Sequence, residues 1–232
     1  MMGVTVIIMA KECAPGRVKT RLHPPFSLED AARIARASLD DTIGAVGEID
    51  ARRVLCVQGA FAPVTGFEQI PQSAGGLDER IADIVDRIDG PVLLIGMDTP
   101  QLDPALLRQA AESWPADVDA WFGPATDGGF WLLGLRGEDE LRPRIGGMPR
   151  GDLIRGVGMS LDDTGAVQRT RLIDAGLAVV DLPELTDIDD VDSLREVVGM
   201  LRPGSALAHL LDAHGEGRLL AASDLERKAG AS

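Results

Sequence analysis

The chain has 232 residues, 45% hydrophobic and 26% charged, with a formal net charge of -14. This is ample material for a core, and the acid excess argues against general affinity for nucleic acid or an anionic membrane, both of which need a cationic face. Two cysteines, Cys13 and Cys56, are too few for a disulfide framework; no apolar run approaches the roughly 18 residues of a membrane span, and no basic segment precedes a long apolar stretch at the start, so the expected compartment is cytoplasmic.

The first element is Val4 to Met9, β-branched and almost continuously apolar, as a strand buried on both faces should be. Ser27 with Asp30 three residues later resembles a capping box and opens a long helix carrying Leu28, Ala31, Ala35, Leu39 and Ile43 at helical spacing. Strands follow at Arg53 to Val57 and, more weakly, Phe67 to Ile70. Leu77, Ile81, Ile84, Val85 and Ile88 line one face of a helix. Pro91 to Ile95 is another continuous apolar strand, and it runs directly into Gly96-Met97-Asp98-Thr99-Pro100. Asp103 before Pro104 predicts an N-cap and a helix to about Ser113.

Ala120 to Phe122 and Phe130 to Leu135 are strands flanking the loop GPATDGG. A helix around Ala166 to Ala175, a strand at Ala178 to Leu182 and a helix from Val191 to about Leu201 complete an alternation that predicts a doubly wound, mostly parallel α/β sheet with helices on both faces. No linker-like tract interrupts residues 1–202, which are expected to form one domain; residues 203–232 are expected to add a helix at Ala206 to Ala213 and a polar tail.

In such sheets ligands bind beyond the carboxyl ends of the strands. AKECAPGRVKTRL, residues 10–22, lies there and concentrates Lys11, Arg17, Lys19 and Arg21 around Gly16, which allows close backbone approach to an anion. Its spacing is neither a Walker loop nor a dinucleotide fingerprint, so the expectation is a phosphate-binding loop, against a plain solvated turn. Phosphate groups often carry a divalent ion with hard oxygen ligands, for which Asp98, Asp187 and Asp189 are candidates. Asp98 has the alternative of a local turn or cap, and the late acids that of favouring a helix N-terminus. Asp127 in ATDGG reads either as a turn former or as a group that orients or deprotonates an acceptor hydroxyl. His23, His209 and His214 show no partner spacing for zinc or a triad. Trp121 and Trp131 read first as core, Cys13 as a small apolar residue, and Arg80, early in its helix, as a nucleotide contact.

AKECAPGRVKTRL, GMDTPQL, GPATDGGFWLLGL and LTDIDDVDSL, in that order over about residues 4–200, resemble the bacterial family known as DUF2064, whose members are similar to nucleotide-diphospho-sugar transferases. The resemblance implies a GT-A-like, Rossmann-type sheet, a nucleotide in the cleft, and Mg²⁺ or Mn²⁺. It places the family's first loop on Lys11 and Gly16 to Arg21, its GxDxP motif on Asp98, its DGG loop on Asp127 to Gly129 and its late acidic pair on Asp187 and Asp189. The chain departs from typical members near Cys13, where they carry a proline, and near Met159, where they carry a tryptophan.

Three functions are compatible with this pattern. A glycosyltransferase would use a nucleotide sugar and a small-molecule acceptor, with Lys19 and a metal steadying the departing diphosphate. A nucleotidyltransferase, guanylyltransferase-like, would join a nucleoside triphosphate to a phosphorylated metabolite. The third is a nucleotide-binding protein without turnover. The first ranks slightly ahead, and the sequence leaves base, acceptor and oligomeric state open.

Overall fold

The computed structural model describes residues 3–112 and 114–213; the expected polar tail and His214 lie outside the described residues. The first strand, β1, spans Thr5–Lys11. Helix α1, Leu28–Gly47, opens on the expected capping box: the Ser27 hydroxyl accepts from the Asp30 amide at 3.0 Å, and the Asp30 carboxylate accepts from the Ser27 amide at 3.3 Å. Strands β2, Arg52–Gln58, and β3, Glu68–Pro71, precede helix α2, Leu77–Asp86. Strand β4, Val92–Ile95, leads to helix α3, Pro104–Glu112, where the Asp103 carboxylate accepts from the Ala105 amide at 2.8 Å. Strands β5, Ala120–Pro124, and β6, Phe130–Leu135, are followed by the short helix α4, Glu138–Leu141, then α5, Thr164–Asp174, β7, Val179–Asp181, α6, Val191–Val198, and α7, Ala206–Ala213.

The strands form one seven-stranded sheet in the order β3-β2-β1-β4-β6-β5-β7. All neighbours are parallel except β6, antiparallel to both β4 and β5. The expected mostly parallel α/β sheet is therefore present. The antiparallel strand follows from chain length, because the five residues 125–129 between β5 and β6 are too few for the crossover that a parallel pair requires.

Alternation along β1 divides the core. Ile7 and Met9 face a cluster with Ile81, Ile84 and Val85 of α2, whereas Val6 and Ile8 face one with Leu39 and Val46 of α1 and Leu107 of α3. A third cluster lies under the cationic loop: Leu22, Phe26 and Ile34 pack with Ile188, with Leu194 of α6 and with Leu207 and Leu211 of α7. The Asp41 carboxylate of α1 secures α7 by accepting from the Ala206 and Leu207 amides at 2.6 and 3.0 Å.

Sequence periodicity assigns nothing between residues 136 and 163, where the structure has α4 and a 3-10 turn at Arg150–Leu153. Arg150 is fully buried, and its guanidinium donates to the carbonyls of Val85 (2.8 Å), Gly90 (2.9 Å), Arg136 (2.6 Å) and Ile88. One polar side chain thus ties several backbone segments together. It joins the end of α2, the entry to β4 and the exit of β6.

Candidate functional site

A cavity of about 610 Å³ opens at the carboxyl ends of β1 and β4 and against the 125–129 loop. The β1 loop that enters it is pinned from below at two points. Val18 packs against Ala32 and Ala35 of α1, and Leu22 enters the third cluster. Between these anchors Lys19 takes a left-handed backbone conformation, φ 47°, unusual outside glycine and a frequent mark of functional sites. The side chain turns inward and is 10% exposed. Its ammonium donates to Asp98 Oδ2 at 2.6 Å and to Asp189 Oδ1 at 3.0 Å. Burial alone would lower the Lys19 pKa; the two carboxylates overcome it and raise the pKa above its usual range. Arg21 reaches the other Asp189 oxygen at 3.6 Å and, like Arg17, is largely exposed.

Asp98, Asp187 and Asp189 each bring a carboxylate oxygen within 4.8 Å of the others. The backbone ties their two loops together, the Ile188 amide donating to the Asp98 carbonyl at 3.0 Å. The caps of the neighbouring helices are other residues. The cap of α6 is Asp190, whose carboxylate accepts from the Asp192 and Ser193 amides at 3.0 and 2.9 Å, and the cap of α3 is Asp103, which leaves Asp98 to Lys19. Asp187 Oδ1 is buried without a hydrogen-bond partner. Burial, followed by the charges of Asp98, Asp127 and Asp189, raises the Asp187 carboxyl to about 7. Three oxygen donors, one of them with an orphaned buried atom, fit a hard divalent cation such as Mg²⁺ or Mn²⁺.

Lys11, Arg17, Lys19, Arg21, Asp98, Asp127, Asp187 and Asp189 all line the cavity. Gly16 and Arg80 do not. Gly16, φ 73°, shapes the turn before Arg17, and Arg80 donates to the side-chain carbonyls of Gln58 and Gln72 at 3.1 and 2.9 Å. Asp127 is exposed, with Oδ1 accepting from the Gly129 amide at 2.7 Å. The glycine after Asp127 serves a contact within the protein: Gly128 has φ 87°, and a Cβ there would lie 1.9 Å from the Asp162 carbonyl. Trp131 is 2% exposed yet lines the cavity, while Trp121 belongs to the core. Burial raises the Cys13 thiol to about 11, so it is protonated at neutral pH and behaves as the small apolar residue expected.

Reading the sequence misses the wall formed by Met159, Ser160, Leu161 and Asp162. This stretch has no periodicity to reveal it. Its marks are the departure from the resembled family near Met159 and a backbone angle, since Ser160 (φ 61°) and Lys19 are the non-glycine residues with positive φ among the described residues.

The chain is similar to a candidate nucleotide-diphospho-sugar transferase from Desulfovibrio desulfuricans G20, with 25% identity and a TM-score of 0.75 over 92% of this chain and 96% of that one. It shares its fold with a cytidylyltransferase from Leptospira borgpetersenii, at 11% identity and a TM-score of 0.53 over 95% of this chain and 97% of the other. The same holds for 2-C-methyl-D-erythritol 4-phosphate cytidylyltransferase from Thermus thermophilus, at 15% identity and a TM-score of 0.51 over 84% and 97%. No curated protein matches the sequence. Residues 43–160 match the profile described as an uncharacterized protein conserved in bacteria, DUF2064, and with this sheet order and this cleft the chain belongs to that family.

Proposed function

We propose that the chain is a metal-dependent, nucleotide-binding transferase, and within that class a glycosyltransferase taking its sugar from a nucleotide-sugar donor. The observation that carries this reading is the convergence of Asp98, Asp187 and Asp189 on one point beside the Lys19 ammonium, at the strand ends where this fold class binds ligands. Similarity to the Desulfovibrio protein supports the sugar donor.

A divalent cation held by the three carboxylates would supply positive charge against the leaving diphosphate. The remaining steps belong to the chain itself. Lys19, Arg17 and Arg21 bind the diphosphate and hold it as its charge grows. The acceptor hydroxyl oxygen bonds to the anomeric carbon while the bond from that carbon to the diphosphate oxygen breaks, its electron pair leaving with the nucleoside diphosphate. The hydroxyl proton passes to the Asp127 carboxylate, which is exposed in the cavity and held by the Gly129 amide.

A second reading, transfer of a nucleotide from a triphosphate to a phosphorylated metabolite with release of pyrophosphate, is favoured by the exposed Arg17 and Arg21, because a triphosphate needs more neutralisation than a diphosphate. A thermal-shift panel of nucleoside diphosphates, triphosphates and nucleotide sugars, each with Mg²⁺, Mn²⁺ or chelator, separates the two. A metal-dependent shift confined to one nucleotide sugar and its diphosphate is expected; a shift led by one triphosphate would favour the second reading, and silence would overturn both. Asp98→Ala should abolish the metal dependence of the shift in a folded protein, and a variant that keeps it would remove Asp98 from the ligand set.

A further inference from the structure

The walls of the cavity differ in chemistry. Among the described residues, every cationic side chain that lines it comes from Lys11, Arg17, Lys19 or Arg21, all at or just after β1. The opposite wall, made by the 125–130 loop and residues 159–162, presents Phe130, Met159 and Leu161 beside Asp127 and Asp162. In the sheet, β4 lies between β1 and β6, so these two walls are rooted two strand spacings apart, roughly 10 Å.

Leu161 is 56% exposed, the most exposed large apolar side chain among the described residues; the others, Met148, Val167, Ile173 and Met200, lie outside the cavity. It is held in place from behind. The Thr164 hydroxyl accepts from the Leu161 amide at 3.0 Å and donates to the Gly158 carbonyl at 2.8 Å, and the Asp162 carbonyl sits on the bare Cα face of Gly128. Ser160 meanwhile keeps its left-handed backbone. Fixed strain and an apolar side chain kept in water, together in a cleft, are features of a binding wall.

We infer that this wall is the subsite of the second substrate and that it takes an uncharged or cationic hydroxyl compound with an apolar face, not a phosphorylated one. The inference rests on the transferase reading and narrows it. A phosphate placed here would lose water against two carboxylates, with the cationic side chains of the cavity rooted on the opposite wall, whereas an apolar face would cover Leu161 and leave a hydroxyl for Asp127.

The test is calorimetric titration of the full chain with two probes, hexyl β-D-glucoside and glucose 6-phosphate, on the free protein and on the protein saturated with Mn²⁺ and the nucleotide found by thermal shift. The free-protein arm stands even if no nucleotide binds, so failure of the transferase reading and failure of this inference remain distinguishable. The alkyl glucoside should bind at least about tenfold more tightly than the phosphate, and Leu161→Arg, a change at an exposed position, should reverse the preference. Equal binding of the two, tighter binding of glucose 6-phosphate, binding of neither, or an unchanged preference in Leu161→Arg would overturn it.

Discussion

At the scale of single residues the site is a balance of charge that Lys19 completes. Its ammonium spans Asp98 and Asp189, and so sits among the oxygens a cation would need. Lys19→Met removes that competitor. Mn²⁺ binding to the nucleotide-free protein should tighten by about tenfold, while nucleotide affinity falls, both readable by calorimetry; unchanged Mn²⁺ affinity would show that Lys19 does not guard the acids. Asp187 adds a dependence on pH. A carboxyl raised to about 7 in the folded protein keeps a proton that the unfolded chain has already released. The resulting stability is fully present below the unfolded value, near 4, and is lost as pH rises through about 7. The Tm of the metal-free protein should therefore fall between pH 5 and pH 8, and Mn²⁺ should restore more of it at the higher pH, where the carboxylate is ionised. A Tm that rises across this range would contradict the raised Asp187. Residue types alone pick out the acids and cations that line this cavity, because they are the types that phosphate and metal chemistry would demand. They also predict the Asp103 cap of α3, through its place before Pro104, but not that Asp190 caps α6.

At the scale of elements, what is legible in the sequence follows from how each segment buries its apolar groups. Strand β1, buried on both faces, and helix α1, opened by Ser27 and Asp30, declare themselves through composition and capping. The stretch from 136 to 163 does not, because its buried apolar residues, among them Leu141, Ile145, Leu153 and Ile154, follow no sustained strand or helix period and the buried Arg150, a lone arginine, reads as solvated surface. Four backbone carbonyls depend on its guanidinium. Arg150→Met should lower stability by about 3 kcal/mol or more by leaving buried acceptors unpaired. Arg150→Lys should rescue little, since an ammonium cannot reproduce the planar fork. Urea denaturation of both variants checks this, and a lysine variant as stable as the parent would mean that charge, not geometry, holds the segment. The wall at 159–162 lies near the end of this segment, downstream of Arg150.

At the scale of the whole molecule, the mostly parallel sheet and the alternating helices are legible because strand and helix periods differ, whereas the strand order is seen only in the structure. The antiparallel β6 is legible only through the short loop before it, and the role of α7 only once its partners are seen. Among the described residues no helix is long and apolar enough to cross a membrane. The cluster that receives α7 also holds Leu22, next to Arg21, and Ile188, between Asp187 and Asp189. The cationic loop and the acidic loop thus rest on one apolar footing, and α7 closes its far side. When ligand clamps the two loops, the opening fluctuations that release α7 become rarer, so amide hydrogen exchange across residues 206–213 should slow on nucleotide and Mn²⁺ binding, although no α7 residue lines the cavity. A helix at the back of the protein becomes a reporter of what is bound at the front.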